Sequence, residues 1–273
     1  MTAAPPRVLA IAGSDSSGGA GIQADIKTIT MLGGYAMTAI TAVTAQNSVG
    51  VQAIAPLSGD VVGEQIASCI DDIGVDAVKI GMLHDREIIA AVAKALDALP
   101  DLVPVVLDPV MIATSGATLI AEDAIAEMRA RLFPLATLIT PNLPELEHLA
   151  GRTLRDTVEV ADAAAEIART YACHVLAKGG HTDDERIIDT LVGPGEERSA
   201  AFGDPRIDTP HTHGTGCTLS SAVATLLGHG LPLEHAVRIG RQFVRRAILA
   251  APGFGQGNGP LGHQAVRNQS PSS

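Results

Sequence analysis

The stretch Val8-Leu-Ala-Ile-Ala12 runs directly into Gly13-Ser-Asp-Ser-Ser-Gly-Gly-Ala-Gly21, and this junction is the most informative part of the sequence. The apolar run predicts a strand that is buried on both faces, as in a parallel sheet. Four glycines within the next nine residues allow the backbone to approach a ligand closely. The residues after this loop predict a helix. The junction therefore predicts a strand, a ligand-binding loop and a helix, in that order.

The same alternation of short apolar runs and longer helical patterns continues along the chain. Further buried strands are predicted at Ala77–Ile80, Val105–Leu107, Thr137–Thr140 and Val175–Ala177. Between them, apolar residues recur at helical spacing: Val62, Ile66, Cys69, Ile70 and Ile73; Ile88, Ile89, Val92 and Leu96; and Val160, Ala163, Ala164 and Ile167. This alternation predicts an α/β fold, with a mainly parallel central sheet and helices on both of its faces.

The chain changes character after Lys178. Residues Ile187–Val192 and Ala200–Phe202 predict a small antiparallel hairpin, and two helices follow at Thr215–Gly228 and Leu233–Ala250. The sequence has no internal repeat and no linker composition. We therefore expect residues 1–273 to form a single domain, with frayed ends at residues 1–6 and 264–273.

Composition and charge exclude several classes of protein. Hydrophobic residues make up 46% of the 273 residues, which is enough for a core and excludes a disordered chain. The net charge of −11 disfavours nucleic acid and anionic membranes as partners. Aromatic residues are only 2%, so base-stacking surfaces are not expected either. Residues 28–59 carry no charge, but their glycines and Pro56 indicate buried core rather than a membrane span.

The three cysteines, Cys69, Cys173 and Cys217, have no spacing typical of a disulfide framework or a zinc site. A reducing compartment suits such a sequence best. The first residues also lack the basic and apolar regions of a signal peptide. We therefore expect a cytoplasmic protein.

In a parallel α/β sheet, ligands bind beyond the carboxyl ends of the strands, so polar residues at these positions are candidates for chemistry. Gln46 can donate and accept hydrogen bonds at once, which suits a heteroaromatic edge. Met82 and Val110 can form an apolar wall, although core packing would account for them equally well. Asp108 is a carboxylate at a strand end, where burial requires a cation as a partner. Asp25 follows the glycine loop, either as a functional acid or as a solvated helix residue.

Three further segments point to phosphate chemistry. Asn142 and Glu145 lie three residues apart at a strand-to-helix junction, a spacing that suits both Mg²⁺ binding and a helix capping box. Lys178 precedes two glycines and can neutralise a phosphate. Gly214-Thr-Gly216 opens a charge-free helix, where free N–H groups and the positive end of the helix dipole favour an anion. We expect this turn to hold a phosphoryl group during transfer.

Gly19-Ala-Gly-Ile-Gln-Ala24 also fits a dinucleotide-binding fingerprint, which would indicate an oxidoreductase. The match starts too far after the strand for the tight turn that this motif needs. The acidic residue that binds the ribose is also missing, because no Asp or Glu occurs between Asp25 and Asp60. The glycine loop therefore favours a small substrate over a dinucleotide.

Taken together, the motifs resemble the hydroxymethylpyrimidine/phosphomethylpyrimidine kinases of thiamine biosynthesis, which belong to the ribokinase-like superfamily. The resemblance spans nearly the whole chain, in the family's order. It rests on these segments: Ile11-Ala-Gly-Ser-Asp-Ser-Ser-Gly-Gly-Ala-Gly-Ile-Gln-Ala-Asp25, Lys79-Ile-Gly-Met-Leu83, Leu107-Asp-Pro-Val-Met111, Thr140-Pro-Asn-Leu-Pro-Glu145, Lys178-Gly-Gly-His181 and Thr212-His-Gly-Thr-Gly-Cys-Thr-Leu219. It implies a ribokinase-like fold, ATP and Mg²⁺ as cofactors, and a homodimer. It also implies two reactions: phosphorylation of 4-amino-5-hydroxymethyl-2-methylpyrimidine, and then of its monophosphate.

The resemblance also implies roles for single residues. Gln46 would bind the aminopyrimidine edge, and Asp25 would contact the hydroxyl side of the substrate. The other implied roles are a substrate pocket lined by Gly13, Ala20, Met82 and Val110; Mg²⁺ and phosphate at Asp108, Asn142 and Glu145; ATP phosphates at Lys178; and an anion hole at Gly214, Thr215 and Gly216. Arg241 stands where the family often has a phosphate-binding Lys, and an Arg keeps the charge but changes the geometry.

Cys217 lies where sugar kinases of the superfamily place an Asp as the catalytic base. A neutral thiol suits an enzyme whose second acceptor is a phosphate dianion, because a carboxylate would repel that acceptor. Phosphoryl transfer through a loose transition state depends more on positioning and charge neutralisation than on a base. Three alternatives remain open from the sequence: a pyridoxal kinase of the same superfamily, a pyrimidine-binding protein without catalysis, and a dinucleotide-dependent oxidoreductase.

Overall fold

A computed structural model of the protein describes residues 4–100, 102–111, 120–180, 184–195 and 200–266. Within these ranges the strands are β1 (Arg7–Asp15), β2 (Tyr35–Asn47), β3 (Gly50–Pro56), β4 (Ala77–Ile80), β5 (Val105–Leu107), β6 (Leu138–Ile139), β7 (His174–Ala177), β8 (Arg186–Val192) and β9 (Ala200–Pro205). They form one sheet in the order β3-β2-β1-β4-β5-β6-β7-β8-β9. The six strands from β2 to β7 in this order are parallel, while β3 at one edge and β8 and β9 at the other are antiparallel.

The helices of the described residues are α1 (Gly21–Met31), α2 (Gly59–Asp72), α3 (Arg86–Leu96), α4 (Glu122–Arg131), α5 (Leu143–Ala150), α6 (Thr157–Tyr171), α7 (Thr215–Gly228) and α8 (Leu233–Leu249). Two short 3₁₀ helices occupy Phe133–Leu135 and His263–Ala265. None of these helices is both long and apolar enough to cross a membrane.

The helices cover both faces of the sheet, because side chains along a strand point to alternate faces. In β1, Leu9 and Ile11 pack into a core shared with helices α2 to α6. Val8 and Ala10 pack into a second core on the opposite face, shared with α1, α7 and α8. This arrangement confirms the predicted α/β class, with a mainly parallel sheet and a small antiparallel hairpin.

The charge-free stretch from residue 28 to 59 is only partly the buried core that the sequence predicted. It contains the end of α1 and the antiparallel pair β2 and β3, which the apolar pattern did not reveal. Along β3, four of the seven residues are exposed. Val49, between the two strands, is 60% exposed. β3 lies at the edge of the sheet with exposed side chains, so lack of charge did not imply burial here.

The C-terminal residues correct a second expectation. The sequence predicted fraying from Gln264, but Gln264 and Ala265 belong to a 3₁₀ helix. Val266 is buried in the same apolar cluster as Phe243 and Leu261. Residues 267–273 and 1–3 lie outside the described residues, and at the other end Pro6 is already buried.

Candidate active site

The carboxyl ends of the parallel strands surround a cavity of about 720 Å³. Residues that follow β1, β4, β5, β6 and β7 line it, and the first turn of α7 faces them. Nearly all of the site residues expected from the sequence are among the lining residues: Gly13, Ala20, Gln46, Met82, Val110, Asp108, Asn142, Glu145, Lys178, Gly214, Thr215, Gly216, Cys217 and Arg241. Asp25 is the expected residue that does not line the cavity.

One end of the cavity combines an apolar wall with a carboxamide. Met82 and Val110 pack with Ala42 and Ile54 in a small cluster separate from the main cores. Gln46 also lines the cavity, and its Oε1 accepts a hydrogen bond from Thr44 Oγ1 at 3.1 Å. An apolar surface and an oriented carboxamide together suit a flat ring that carries hydrogen-bonding groups on its edge.

Asp25 is not the solvent-exposed or substrate-contacting acid that the sequence allowed. Its side chain is fully buried, and both carboxylate oxygens accept hydrogen bonds from Lys79 Nζ at 2.9 Å. Ser221 Oγ of α7 donates a third hydrogen bond at 2.6 Å. Asp25 therefore joins α1, β4 and α7 beneath the cavity, and its contacts are those of a structural ion pair.

Asp108 and Lys178 meet at the centre of the cavity. Lys178 Nζ lies 2.6 Å from Asp108 Oδ1, which also accepts a hydrogen bond from Thr140 Oγ1 at 2.9 Å. The carboxylate is almost fully buried, and a buried charge requires partners of this kind. Its other oxygen, Oδ2, faces the first turn of α7, because a methyl group on Gly216 would lie 3.1 Å from it.

Asn142 and Glu145 form the capping box of α5. Asn142 Oδ1 accepts from the backbone N–H of Glu145 at 2.9 Å, and Glu145 Oε2 accepts from that of Asn142 at 2.8 Å. Burial raises the pKa of Glu145 to about 7, against the opposing effect of the Lys178 charge. The capping role and a role toward a cation are compatible, since Glu145 also lines the cavity.

The N-terminus of α7 faces Asp108 and Lys178. Gly214 precedes the helix with φ of 87°, and a side chain there would overlap the carbonyl oxygen of Gly19. The N–H groups of the first helical turn have no acceptors within the helix, and the helix dipole makes this end positive. A methyl group on Gly216 would lie 3.3 Å from Lys178 Nζ. The lysine ammonium group and the N-terminus of the helix therefore border the same part of the cavity.

Cys217 lies in the first turn of α7 and lines the cavity. Burial raises the pKa of its thiol to about 11, even though the nearby Lys79 charge favours the thiolate. The side chain is therefore a neutral thiol at pH 7, as the sequence-based interpretation of Cys217 requires.

Arg241 on α8 contacts two carboxylates. Its Nε lies 2.6 Å from Asp189 Oδ2, and its NH1 lies 2.7 Å from Asp204 Oδ2. Asp189 Oδ1 in turn accepts the N–H of Gly179, the residue after Lys178, at 2.7 Å. Arg241 lines the cavity and stays a candidate phosphate contact. Through Asp189 it also stabilises the backbone at Gly179, next to Lys178.

Sequence reasoning missed three residues that organise the site: Asp15, Lys79 and His213. Asp15 and His213 form a buried contact of 2.8 Å, and Lys79 is the partner of Asp25. A lysine within the apolar strand Ala77-Val-Lys-Ile80 was a usable signal, because a buried ammonium group must have an anionic partner. Nothing in the local sequence identified that partner.

Comparison with known proteins assigns the family. The family model described as phosphomethylpyrimidine kinase matches residues 15–262. A hydroxymethylpyrimidine/phosphomethylpyrimidine kinase of Streptomyces coelicolor is 45% identical over 259 residues, covering 95% of this chain and 94% of that protein. The thiamine biosynthesis bifunctional protein ThiED of Geobacter sulfurreducens is 45% identical over 257 residues, or 94% of this chain, and the match spans 52% of that longer protein.

Among solved structures, the ADP complex of Bacillus subtilis pyridoxal kinase superposes with a TM-score of 0.87 at 38% identity, covering 96% of this chain and 98% of the other. A pyridoxal kinase thus shares this architecture. Because the family model matches most of the sequence, and a kinase of the same name is similar along nearly its full length, the chain belongs to the phosphomethylpyrimidine kinase family.

Proposed function

We propose that the chain transfers a phosphoryl group from ATP to the hydroxymethyl group of 4-amino-5-hydroxymethyl-2-methylpyrimidine, and a second one to the resulting monophosphate. The observation that carries this proposal is the meeting of Asp108, Lys178 and the N-terminus of α7 at one point of the cavity. A carboxylate, an ammonium group and free backbone N–H groups are the means by which enzymes position and stabilise a transferring phosphoryl group.

The acceptor binds at the end of the cavity that holds Gln46. The carboxamide of Gln46 donates to a ring nitrogen of the pyrimidine and accepts from its amino group. Met82 and Val110 cover one face of the ring. In this orientation the hydroxymethyl group points toward the first turn of α7, where the phosphoryl group arrives.

The phosphates of ATP bind between Lys178 and the start of α7. The backbone N–H groups of Gly216 and Cys217 bind the oxygens of the transferring group, and Lys178 neutralises charge on the bridging side. In a loose transition state the charge is spread over the three equatorial oxygens of the transferring group, so fixed positive groups at this point lower the barrier.

The residues present fit Mg²⁺. Asp108 Oδ2 faces the phosphoryl site, and Glu145 lines the same part of the cavity. Mg²⁺ commonly takes one or two carboxylates and completes its shell with water and phosphate. When bound, Mg²⁺ neutralises charge on the phosphates. Asp108 and Glu145 would hold it.

The neutral thiol of Cys217 leaves the site without a fixed carboxylate at the acceptor oxygen. That arrangement accepts a phosphate dianion as the second acceptor, because the dianion meets no like charge there. It also needs no proton removal in the second step, since a phosphate oxygen is already a nucleophile. The same cavity can thus carry out both reactions.

Phosphorus-31 NMR with ATP, Mg²⁺ and the aminopyrimidine tests this proposal. We expect a monophosphate signal first and a diphosphate signal later, with two ADP released for each pyrimidine consumed. Binding of the pyrimidine without ADP release would show a binding protein instead of a kinase. Product formation with a single phosphate, and no turnover of the monophosphate, would restrict the proposal to the first reaction.

A second candidate function is pyridoxal phosphorylation. The structural similarity to Bacillus subtilis pyridoxal kinase favours it, since pyridoxal is also a flat ring with a hydroxymethyl group. We expect a lower kcat/KM for pyridoxal than for the aminopyrimidine, because pyridoxal lacks the amino group that would pair with Gln46 Oε1. Steady-state kinetics with both acceptors tests this order, and Gln46→Leu should reduce kcat/KM more for the aminopyrimidine than for pyridoxal.

Two more expectations stay predictions: a cytoplasmic location and a homodimer. Light scattering of the purified protein, coupled to size-exclusion chromatography, measures the second directly.

A further inference from the structure

A buried contact between a histidine and a carboxylate links the two halves of the candidate active site. His213 Nε2 lies 2.8 Å from Asp15 Oδ2, although the residues are 198 positions apart in the chain. Asp15 is 2% exposed and His213 is 5% exposed. Neither side chain has a role in the phosphoryl transfer described above.

Asp15 fixes the shape of the glycine loop. Its Oδ1 accepts from the N–H and hydroxyl of Ser17 at 2.9 and 2.8 Å, and its Oδ2 accepts from the N–H groups of Gly19 and Ala20 at 3.0 and 2.8 Å. Burial opposes ionisation, but the hydrogen bonds from His213, Ser17 and Ala20 outweigh it and lower the pKa of Asp15. The Asp15 carboxylate is thus the charged centre around which the glycine loop folds.

His213 belongs to the other half of the site. It immediately precedes Gly214, and its backbone N–H donates to Gly259 O at 3.1 Å. Gly214 itself packs so closely on the Gly19 carbonyl that no side chain fits between them. The position of the His213 ring is therefore tied to the place where α7 and its free N–H groups begin.

We propose that His213 is a positioning residue. Through Asp15, it sets the distance between the glycine loop (residues 13–21), which borders the acceptor, and the N-terminal end of α7, which binds the phosphoryl group. The inference rests on the proposed function, since it assigns the acceptor to one of these segments and the phosphoryl group to the other. Phosphoryl transfer depends on this spacing, because a misplacement of about 1 Å can cost roughly 100-fold in rate. His213 touches neither reactant in this role.

The experiment compares His213→Ala with His213→Gln. We expect His213→Ala to lower kcat for the first acceptor by about 100-fold, while the Kd for ADP stays within about twofold. The Gln amide places an N–H donor close to the position of the ring Nε2. We therefore expect His213→Gln to recover most of the lost kcat. His211→Ala is the matched control, two residues away and without contact to Asp15.

Three results would overturn the inference. One is a kcat for His213→Ala within about twofold of the wild type. Another is a His213→Gln variant as slow as His213→Ala at an unchanged melting temperature, because the ring would then act as an acid or base. The third is a further loss of kcat when His213→Ala is added to Asp15→Asn, because His213 would then act independently of Asp15.

Failure of the proposed function gives a different result. In that case the wild type itself does not phosphorylate the aminopyrimidine, whatever His213 does. If the wild type phosphorylates only pyridoxal, the same variants are compared with pyridoxal as the acceptor. If His213→Ala does not fold, His213→Gln and Asp15→Asn carry the test, with a loss of kcat expected for Asp15→Asn alone.

Discussion

The Nζ atom of Lys178 lies 2.6 Å from Oδ1 of Asp108, directly in front of the first turn of α7. A cation is thus held in place by a carboxylate before any phosphate arrives. We predict that Lys178→Met lowers kcat/KM by about 10²- to 10³-fold, the typical effect of removing one stabilising group from a transferring oxyanion. Steady-state ADP release measures the loss, and Lys94→Met, an exposed residue of α3, is the control. Activity within tenfold of the wild type would contradict the assigned role of Lys178.

Gly216→Ala should separate stability from activity. Alanine favours a helix by at most about 1 kcal/mol relative to glycine at this first-turn position, so the variant should lose little stability. Its methyl group would lie 3.1 Å from Asp108 Oδ2 and 3.3 Å from Lys178 Nζ, within the space assigned to the phosphoryl group. We expect kcat/KM to fall at least about tenfold. Gly63→Ala in α2 is the matched control, because open space surrounds that position and only stability should rise.

Asp25→Asn tests whether this carboxylate is structural. Both partners of the Asp25–Lys79 pair are 0% exposed, and removal of one partner from a buried pair costs about 3–5 kcal/mol. Urea unfolding should show this loss, and the double variant Asp25→Leu/Lys79→Met should be less destabilised than the sum of its single changes. Glu166→Gln, in the exposed pair with Arg152, should cost less than about 1 kcal/mol. A stable Asp25→Asn with a raised KM for the pyrimidine would instead indicate substrate contact.

Cys217→Asp should distinguish the two phosphorylation steps. A carboxylate at this position repels the dianionic second acceptor, while the uncharged first acceptor is affected less. We expect the rate for the monophosphate to fall at least about tenfold more than the rate for the hydroxymethyl substrate. Cys217→Ser, which adds no charge, should show no such difference. Intact turnover of the monophosphate by Cys217→Asp would refute the role assigned to the neutral thiol.

His263 should make stability depend on pH. Burial lowers the pKa of His263 to about 4 from an ordinary value of 6.5. Between these pH values the unfolded chain binds a proton that the folded protein does not, so stability falls as the pH drops from 6.5 to 4. The full loss is about 3 kcal/mol. Urea unfolding at both pH values should show it for the wild type and not for His263→Gln, so an equal pH dependence of the two proteins would contradict this prediction.

The sequence predicted the elements that lie in the core of the sheet, because a short continuous apolar run such as Val105–Leu107 is typical of a strand buried on both faces. It predicted the bounds of α7, which begins at Thr215 and ends at Gly228. It did not reveal β2, which is rich in alanine and threonine, or β3, whose only large apolar residues are Val51 and Ile54. Strand propensity depends on the neighbouring strand, and that neighbour was not visible in the local pattern.

The candidate site also has features that the sequence predicted and features that it did not. The loops after the strands could be predicted, because the carboxyl ends of parallel strands lie at one edge of a sheet. The pairing of Asp25 with Lys79, and of Asp15 with His213, joins residues 54 and 198 positions apart. Such pairs depend on the register of distant elements, so residue type alone could not identify them. Asp25 was assigned to the substrate for this reason, and its burial corrects that assignment.

The burial of α7 has a consequence for how the protein is made. Residues 218–226 of this helix are buried, and the helix packs on β1, β4 and β5. A ribosome must therefore translate more than three quarters of the chain before the cover for that sheet face exists. Until then the nascent polypeptide presents a broad apolar surface to its surroundings. Truncated products that end before Thr215 should for this reason aggregate or be captured by chaperones.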